Sequence, residues 1–384
     1  MNSKERVIRA IKGEVVDEIP LGFYAVDSDT VEKVIGHETY VRDKVGRRLA
    51  FWEGRRDEVV ESYKKDTVEF FEKIDCVDIL TLKEAAFVPP EDYEPKSPQE
   101  IDDGVWKDDA GRIYKKSEIS NEIICVEDPT EKSFKDYSPD DFPVPEEEGL
   151  TPPDPSIFEA SDYLIEEFTD EKYIAGKSGG LATFPLIGGM KTGLMLYGAK
   201  PEVIRSANHC AVKKKNYLDQ YYIRPGQDGV LFEQDMAGTD GPFISPKKFE
   251  KNCLPYLKER VRNVKGFDQQ VLLHNCGDNR PLMEMFINAG VQAYQSLQPN
   301  AGMNLKHLQD KYGSDMTFWG GVDVELLIEG SMKQVREEVR NALVEGAKKP
   351  GFILGPSHSI AYGTNYDNFM AMIDEYQKMA GKAV

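Results

Sequence analysis

The stretch Gln270-Val271-Leu272-Leu273-His274-Asn275-Cys276-Gly277 joins an apolar run to an imidazole and a thiol two residues apart. The apolar run predicts a buried parallel strand, because such strands are almost continuously hydrophobic. In α/β barrels, the residues just past the carboxyl end of a strand line the active site. The stretch therefore predicts a barrel strand that carries His274 and Cys276 into one pocket as half of a zinc site. The alternative is a packed histidine beside an inert buried cysteine.

Strand-like runs and helical patterns alternate from Pro155 onward, and two further runs lie nearer the N-terminus. The eight runs are Ile19–Tyr24, Val77–Leu82, Tyr173–Gly176, Val230–Glu233, Val271–His274, Ala293–Leu297, Met316–Trp319 and Phe352–Leu354. This alternation predicts the α/β class and a TIM (β/α)8 barrel with an N-terminal helical segment. A doubly wound open sheet is the alternative.

The composition changes sharply between about residues 88 and 157. Eleven of the 22 prolines lie from Pro89 to Pro155, together with the acidic run Glu146-Glu147-Glu148. Within this segment Val105–Tyr114 has two short β-rich runs around an Asp/Gly turn, which predicts a hairpin. We expect a Pro-rich acidic insertion in a single barrel domain over residues 1–384.

Charge and motifs exclude several classes of partner. The chain has 48 basic and 67 acidic side chains, a formal charge of −19, which disfavours nucleic acid and anionic membranes. Five scattered cysteines do not suggest a disulfide framework, and Met1–Arg6 lacks the apolar core of a signal peptide. Neither a dinucleotide-binding nor a P-loop motif is present. We expect a cytoplasmic protein that acts on a small molecule. The sequence is also compatible with a homodimer.

Polar residues follow the predicted strands and converge on one mouth of the barrel. They are Glu233, Asp235, His274, Cys276, Gln298, Asp323, Ser357 and His358. A catalytic zinc has three protein ligands and an open fourth position. We expect His274, Cys276 and His358 as ligands, with Glu233 or Asp235 as the alternative to His358. Without a metal, His358 would instead hydrogen-bond the substrate.

The remaining candidates have catalytic or substrate-binding roles. Glu233, Asp235 and His358 are the candidate catalytic residues, the two carboxyl groups as proton donors. Gln298, Tyr222 and Ser357 are the candidate substrate-binding residues. The aromatic segments Tyr221-Tyr222 and Phe318-Trp319 could enclose an aromatic ring, or could belong to the core. Asp323 is expected to cap the following helix.

Four segments carry a resemblance to a known family. They are Lys4–Gly13 with Asp17 and Pro20, Ile244-Ser245-Pro246 with Pro255-Tyr256, His274-x-Cys276-Gly277, and Gly320-Gly321-Val322-Asp323. With these segments the chain resembles the uroporphyrinogen decarboxylase superfamily, in particular its cobalamin-dependent methyltransferase branch, over nearly its whole length. The resemblance implies a barrel and a zinc ion held by His-x-Cys and a late cysteine. The arginine-rich N-terminal motif of the decarboxylases is absent.

This chain has Pro356-Ser357-His358 where the methyltransferases have the late cysteine. With two neutral imidazoles and one thiolate, a zinc site would keep a net charge of about +1, which favours polarising an oxygen over binding a thiol. The resemblance thus implies a methyltransferase that moves a methyl group from a methoxylated aromatic compound to the cobalt of a separate corrinoid protein. The alternatives are methyl transfer from a methylcorrinoid to a thiol such as coenzyme M, a metal-free decarboxylase, and a non-catalytic binding barrel.

Overall fold

A computed structural model of the protein describes residues 1–83 and 87–382. The described α-helices are α1 Ser3–Ile11, α2 Ser28–Ile35, α3 Gly46–Trp52, α4 Arg56–Lys73, α5 Glu159–Phe168, α6 Gly189–Ala199, α7 Pro201–Tyr222, α8 Pro246–Asn252, α9 Leu254–Lys265, α10 Met283–Ala289, α11 Leu305–Tyr312, α12 Val324–Glu329, α13 Met332–Gly346 and α14 Tyr366–Met379. The described strands are β1 Ile79–Thr81, β2 Gln99–Asp102, β3 Val105–Lys107, β4 Ile113–Ser117, β5 Glu122–Glu127, β6 Tyr173–Gly176, β7 Gly229–Glu233, β8 Ala237–Gly238, β9 Gly241–Pro242, β10 Gln270–His274, β11 Ala293–Gln295, β12 Thr317–Val322 and β13 Phe352–Pro356.

Seven parallel strands form one curled sheet in the order β1-β6-β7-β10-β11-β12-β13. An entering segment lies between the two edge strands: Leu21 bridges Leu354 of β13, and Gly22 bridges Ile79 of β1, both in parallel. Because one segment pairs with both edges, the sheet closes on itself. The α/β barrel predicted from the alternation is confirmed, and the open doubly wound sheet is not formed.

Seven of the eight predicted runs contain a strand of this sheet, with ends that differ by a few residues. The run Ile19–Tyr24 occupies the eighth place but forms only single bridges, in part because Pro20 has no N–H to donate to a ladder. β11 ends at Gln295, earlier than predicted, because Ser296 has a positive φ of 95° that interrupts an extended strand.

A separate apolar cluster fills the barrel. Its buried members are Val7, Ala10, Ile11, Ile79, Tyr173, Ala175, Leu272, Ala293, Trp319 and Ile353. The first three come from α1, and Thr317 at the start of β12 donates a hydrogen bond to the Ala10 carbonyl at 2.8 Å. α1 therefore covers the amino ends of the strands. The larger core cluster lies between the strands and the surrounding helices.

The Pro-rich segment contains a second sheet, antiparallel, in the order β2-β3-β4-β5. The predicted hairpin is confirmed, since Trp106 of β3 pairs with Tyr114 of β4. Trp52 of α3 packs edge-on against Trp106, with ring centroids 5.6 Å apart. Within the described ranges, no helix has the length and apolar character needed to span a membrane.

Candidate metal centre

Polar side chains form the layer above the apolar cluster inside the barrel. Leu272 and Ala293 belong to that cluster, and side chains two residues apart on a strand point to the same face. His274 and Gln295 therefore also point inward, one layer nearer the carboxyl ends of the strands. Glu233 lies beside His274, because β7 and β10 pair at these residues. The strand ends thus bring these three polar side chains together.

His274, Cys276 and His358 form a group whose ligand atoms all lie within 4.8 Å of one another. His274 Nε2 is 3.4 Å from Cys276 Sγ. Tetrahedral zinc, with bonds of about 2.0–2.3 Å, requires neighbouring ligand atoms about 3.5 Å apart. The distance between His274 Nε2 and Cys276 Sγ meets this requirement. A movement of His358 by about 1 Å would bring its ring nitrogen to the same spacing from the other two ligand atoms. The three side chains thus fit a zinc ion that keeps one open position.

The two carboxyl groups considered as third ligands have other partners. Among the described residues this is the one group of three potential ligands, so the structure brings His358 to the pair rather than Glu233 or Asp235. Asp235 Oδ1 accepts a hydrogen bond from the Cys276 backbone N–H at 2.9 Å. Glu233 accepts a hydrogen bond from Lys83. Asp235 therefore holds the backbone of Cys276 in place.

Two neighbours fix the orientation of the buried His274 ring. Nδ1 is hydrogen-bonded to Gln295 Oε1, and Gln295 Nε2 donates to the Pro356 carbonyl at 3.3 Å. With the amide oxygen facing Nδ1, the ring proton is assigned to Nδ1 and the Nε2 lone pair faces Cys276. Tyr24 stacks on the ring with centroids 3.6 Å apart. Burial lowers the pKa of His274 to about 4, so the imidazole is neutral, as a metal ligand must be.

The loop after β10 holds Cys276 in place. Burial, with the nearby charge of Asp235, raises the pKa of the thiol to about 12 in the metal-free protein. Gly277 has a φ of +84°, and a Cβ there would lie 2.6 Å from the Ala237 carbonyl oxygen. The glycine after the cysteine is therefore required by this close approach. Gln298 Oε1 accepts a hydrogen bond from the Gly277 N–H at 2.5 Å.

Lys83 connects Glu233 to Tyr24. Its ammonium group donates hydrogen bonds to the Glu233 carboxylate and to the Tyr24 hydroxyl, and it lies 4.3 Å from the Tyr24 ring centroid. Burial opposes ionisation of Glu233, but the charge and hydrogen bond of Lys83 outweigh it and lower the pKa to about 2. Glu233 is therefore a carboxylate at neutral pH and holds no proton to donate.

Two of the predicted substrate-binding residues, Gln298 and Ser357, lie at the mouth, and the third, Tyr222, lies at the end of α7. Gln298 holds the loop after β10, and the buried Ser357 Oγ accepts a hydrogen bond from the Val324 N–H at 3.1 Å. Both side chains thus contact backbone. Tyr222, at the end of α7, packs edge-on against Phe87 with ring centroids 4.9 Å apart. The Asp323 side chain caps α12 through the Glu325 N–H, as expected.

Sequence reasoning missed four residues of the site: Tyr24, Lys83, Lys177 and Gln295. The period of a strand could have found two of them, since Gln295 follows Ala293 by two residues and Lys177 follows Ala175 by two. The aromatic ring at the centre is that of Tyr24. Phe318 and Trp319 are fully buried. Of their two predicted roles, enclosing an aromatic ring or belonging to the core, the structure shows the second.

Known proteins resemble this chain in sequence and in fold. The sequence profile of the uroporphyrinogen decarboxylase (URO-D) family matches residues 155–379. Uroporphyrinogen decarboxylase from Geobacter metallireducens is 26% identical over 201 residues, which are 49% of this chain and 52% of that protein. Uroporphyrinogen decarboxylase 2, chloroplastic, from Arabidopsis thaliana is 24% identical over 233 residues, 59% of this chain and 57% of that protein. The chain thus spans about half the length of the curated relatives it matches.

Among solved structures, a methyltransferase from Methanosarcina mazei has the same fold over almost the whole length of both proteins. The TM-score is 0.67, and the match covers 98% of this chain and 99% of that chain at 17% sequence identity. At this identity the likeness concerns the fold. The family profile, in contrast, matches more than half of the sequence, including every barrel strand from β6 to β13. The chain belongs to the uroporphyrinogen decarboxylase (URO-D) family.

Proposed function

We propose that this protein is a zinc-dependent methyltransferase that takes a methyl group from a methoxylated aromatic compound and passes it to the corrinoid of a separate protein. The observation that carries the proposal is the group of His274, Cys276 and His358 at the barrel mouth. Two neutral imidazoles and one thiolate suit a catalytic zinc with an open position. The fold shared with the methyltransferase from Methanosarcina mazei supports the same class of reaction.

The ligand set favours an oxygen substrate. When bound, the zinc ion would supply Lewis acidity to the ether oxygen from which the methyl group departs. One thiolate leaves the site with a net charge of about +1, more electrophilic than a site with two thiolates. The partner's corrinoid would supply the nucleophile that accepts the methyl group, and the bonding electrons would stay on the oxygen.

The protein's own residues hold this site in order and supply a proton. Gln295 and Tyr24 fix the His274 ring on two sides. The departing oxygen must gain a proton, and Lys83 carries one at the mouth, whereas the lowered pKa of Glu233 leaves that carboxylate unprotonated. We therefore assign proton donation to Lys83 and its positioning to Glu233.

The test combines metal analysis with a methyl-transfer assay. We expect about one zinc per chain, and methylation of a reduced corrinoid partner by methoxylated aromatics, followed by the spectral change from cobalt(I) to methyl-cobalt(III). Turnover with methylated thiols alone would replace the proposal by the thiol-specific alternative. A protein that binds no zinc would exclude both methyl-transfer mechanisms.

The second candidate is a metal-free decarboxylase, favoured by the names of the curated relatives. In that reaction His358 and a carboxylate would act on the substrate directly. Release of carbon dioxide from an aromatic or tetrapyrrole acid by the zinc-free protein would support it. Loss of activity on removing zinc would rule it out.

A further inference from the structure

A cavity of about 240 Å³ lies beside the candidate metal centre. It is lined by Lys83, Lys177, Ser178, Leu181, Phe232 and Glu233, among others. Lys83 and Glu233 also belong to the mouth of the barrel, so the cavity and the metal centre share a wall. Lys177 follows β6 and points inward, because it is two residues beyond Ala175 of the inner cluster.

Two lysines and one carboxylate line this cavity. Within the described residues, no carboxylate oxygen lies within 4.0 Å of Lys177 Nζ, which instead lies 4.5 Å from the Phe87 ring centroid. Glu233 is the nearby carboxylate, and it is hydrogen-bonded to Lys83. Burial, with the like charges of Lys83 and Arg47, lowers the pKa of Lys177 to about 7. Among the described residues, the half-buried ammonium group therefore has no counter-ion of its own.

A buried ion pair holds the cavity wall rigid. Arg260 and Asp219 have fully buried side chains, joined at 2.6 Å. Asp219 Oδ1 accepts a hydrogen bond from the Gly179 N–H at 2.8 Å, and Arg260 Nε donates to the Gly180 carbonyl at 3.0 Å. The loop directly after Lys177 is thus fixed from behind, which preorganises the cavity for a ligand.

Apolar side chains form one part of the lining and suit a flat ring. Leu181, Leu231 and Phe232 line the cavity together with Lys177, and the Phe87 ring lies against the ammonium group. An anion alone would leave this apolar surface unused. An aromatic ring that carries an anionic group would contact both parts of the lining.

The positions of the strands allow one ligand to reach both sites. β6 and β10 are separated only by β7, and the strand register places Lys177 two residues before the level of His274. Two strand spacings and two residues along the strand put the two backbones about 12 Å apart. The long side chain of the lysine shortens this gap. A single ring with an anion at one end and a methoxy group at the other can therefore lie between them.

We propose that Lys177 binds the carboxylate of the methyl donor, so that the substrate is a methoxylated aromatic acid rather than a neutral aryl ether. This inference rests on the proposed function, whose substrate it narrows. The carboxylate would supply the counter-ion that no described residue gives Lys177, and the methoxy group would face the candidate metal centre.

Binding of benzoate, which has no methyl group to transfer, tests the inference without zinc or corrinoid. Calorimetry at pH 7 should show saturable binding to the wild type and binding about ten- to a hundred-fold weaker to Lys177→Met. Lys177→Arg, which keeps the charge, should retain most of the affinity. Lys333→Met, which removes a charge from the exposed face of α13, is the matched control and should bind like the wild type. Equal benzoate affinity in Lys177→Met and wild type would overturn the inference.

Comparison of two methyl donors separates this inference from the proposed function. 4-Methoxybenzoate should methylate the corrinoid partner with a lower KM than methoxybenzene, and Lys177→Met should abolish that difference. If both donors react equally in both proteins, the function stands and the carboxylate site is wrong. If benzoate binds through Lys177 and neither donor reacts, the carboxylate site stands and the methyl-transfer function fails.

Discussion

Replacing Gln295 by leucine removes the acceptor that faces His274 Nδ1 and keeps a side chain of similar volume. Gln295 is fully buried and bonded at both ends, to the imidazole and to the Pro356 carbonyl. The variant therefore leaves the His274 ring without its acceptor. The ring can then rotate, or carry its proton on the nitrogen that faces Cys276.

The expected loss follows from the role of such partners at metal sites. Removing the outer-shell partner of a ligating histidine lowers metal affinity about 10- to 100-fold, which is about 1.4–2.7 kcal/mol. The unpaired N–H and carbonyl also lower the free energy of unfolding by about 1–3 kcal/mol. Both effects should appear in Gln295→Leu.

Competition with a chromophoric chelator measures the zinc affinity, and urea unfolding measures the stability. Gln309→Leu is the matched control, because Gln309 is also buried and donates to the Gly346 carbonyl from α11, away from the barrel mouth. It should lose stability and keep its zinc affinity. If Gln295→Leu binds zinc within two-fold of the wild type, the ring orientation does not determine the affinity and the argument is refuted.

Three further predictions follow from the site and its support. Cys276→Ala should lose zinc and methyl transfer while keeping its fold by circular dichroism. The control Cys125→Ala, on the exposed β5, should lose neither. Full zinc content in Cys276→Ala would make this thiol a packing residue. Lys177→Met should be more stable than the wild type at pH 7, on the order of 2 kcal/mol in urea unfolding. The pKa of Lys177 is about 7 in the folded protein and 10.5 in the unfolded chain, so the wild type gains stability as the pH rises from about 7 to 10.5. The stability difference between Lys177→Met and the wild type should therefore shrink over this range. A difference that stays constant with pH would contradict the lowered pKa. Arg260→Met should reduce the free energy of unfolding by about 3–5 kcal/mol, because it leaves Asp219 buried without its cation. Adding Asp219→Leu should restore much of the lost free energy. An equal loss in the double variant would argue against the ion pair.

The barrel was predictable because its strands carry the signal themselves. Continuous apolar runs such as Val271–Leu273 distinguish buried parallel strands from surface elements. The same signal identifies the run Ile19–Tyr24, although this segment forms only single bridges. The strand ends were less predictable. β11 ends because Ser296 has a positive φ. A serine, unlike a glycine, does not indicate such a backbone conformation in the sequence.

The candidate ligands were also predictable, because His274, Cys276 and His358 follow strands of one parallel sheet. The residues that follow parallel strands all lie at the carboxyl ends of the strands, however far apart they are in the sequence. Their partners were harder to find. Lys83 and Glu233 are 150 residues apart, and a lysine after a short strand resembles any surface lysine until the pairing is known.

The charge of the cavity could not be predicted from the charge of the chain. A formal charge of −19 predicts repulsion of large polyanions, because distant carboxylates add up over a surface. Inside the mouth the strands turn Lys177 inward, and the Glu233 carboxylate is already bonded to Lys83. Since a small ligand contacts only the few groups that line its cavity, an acidic protein can hold an anionic substrate. The strand register that turns Lys177 inward, and not the composition, decides which charge the substrate meets.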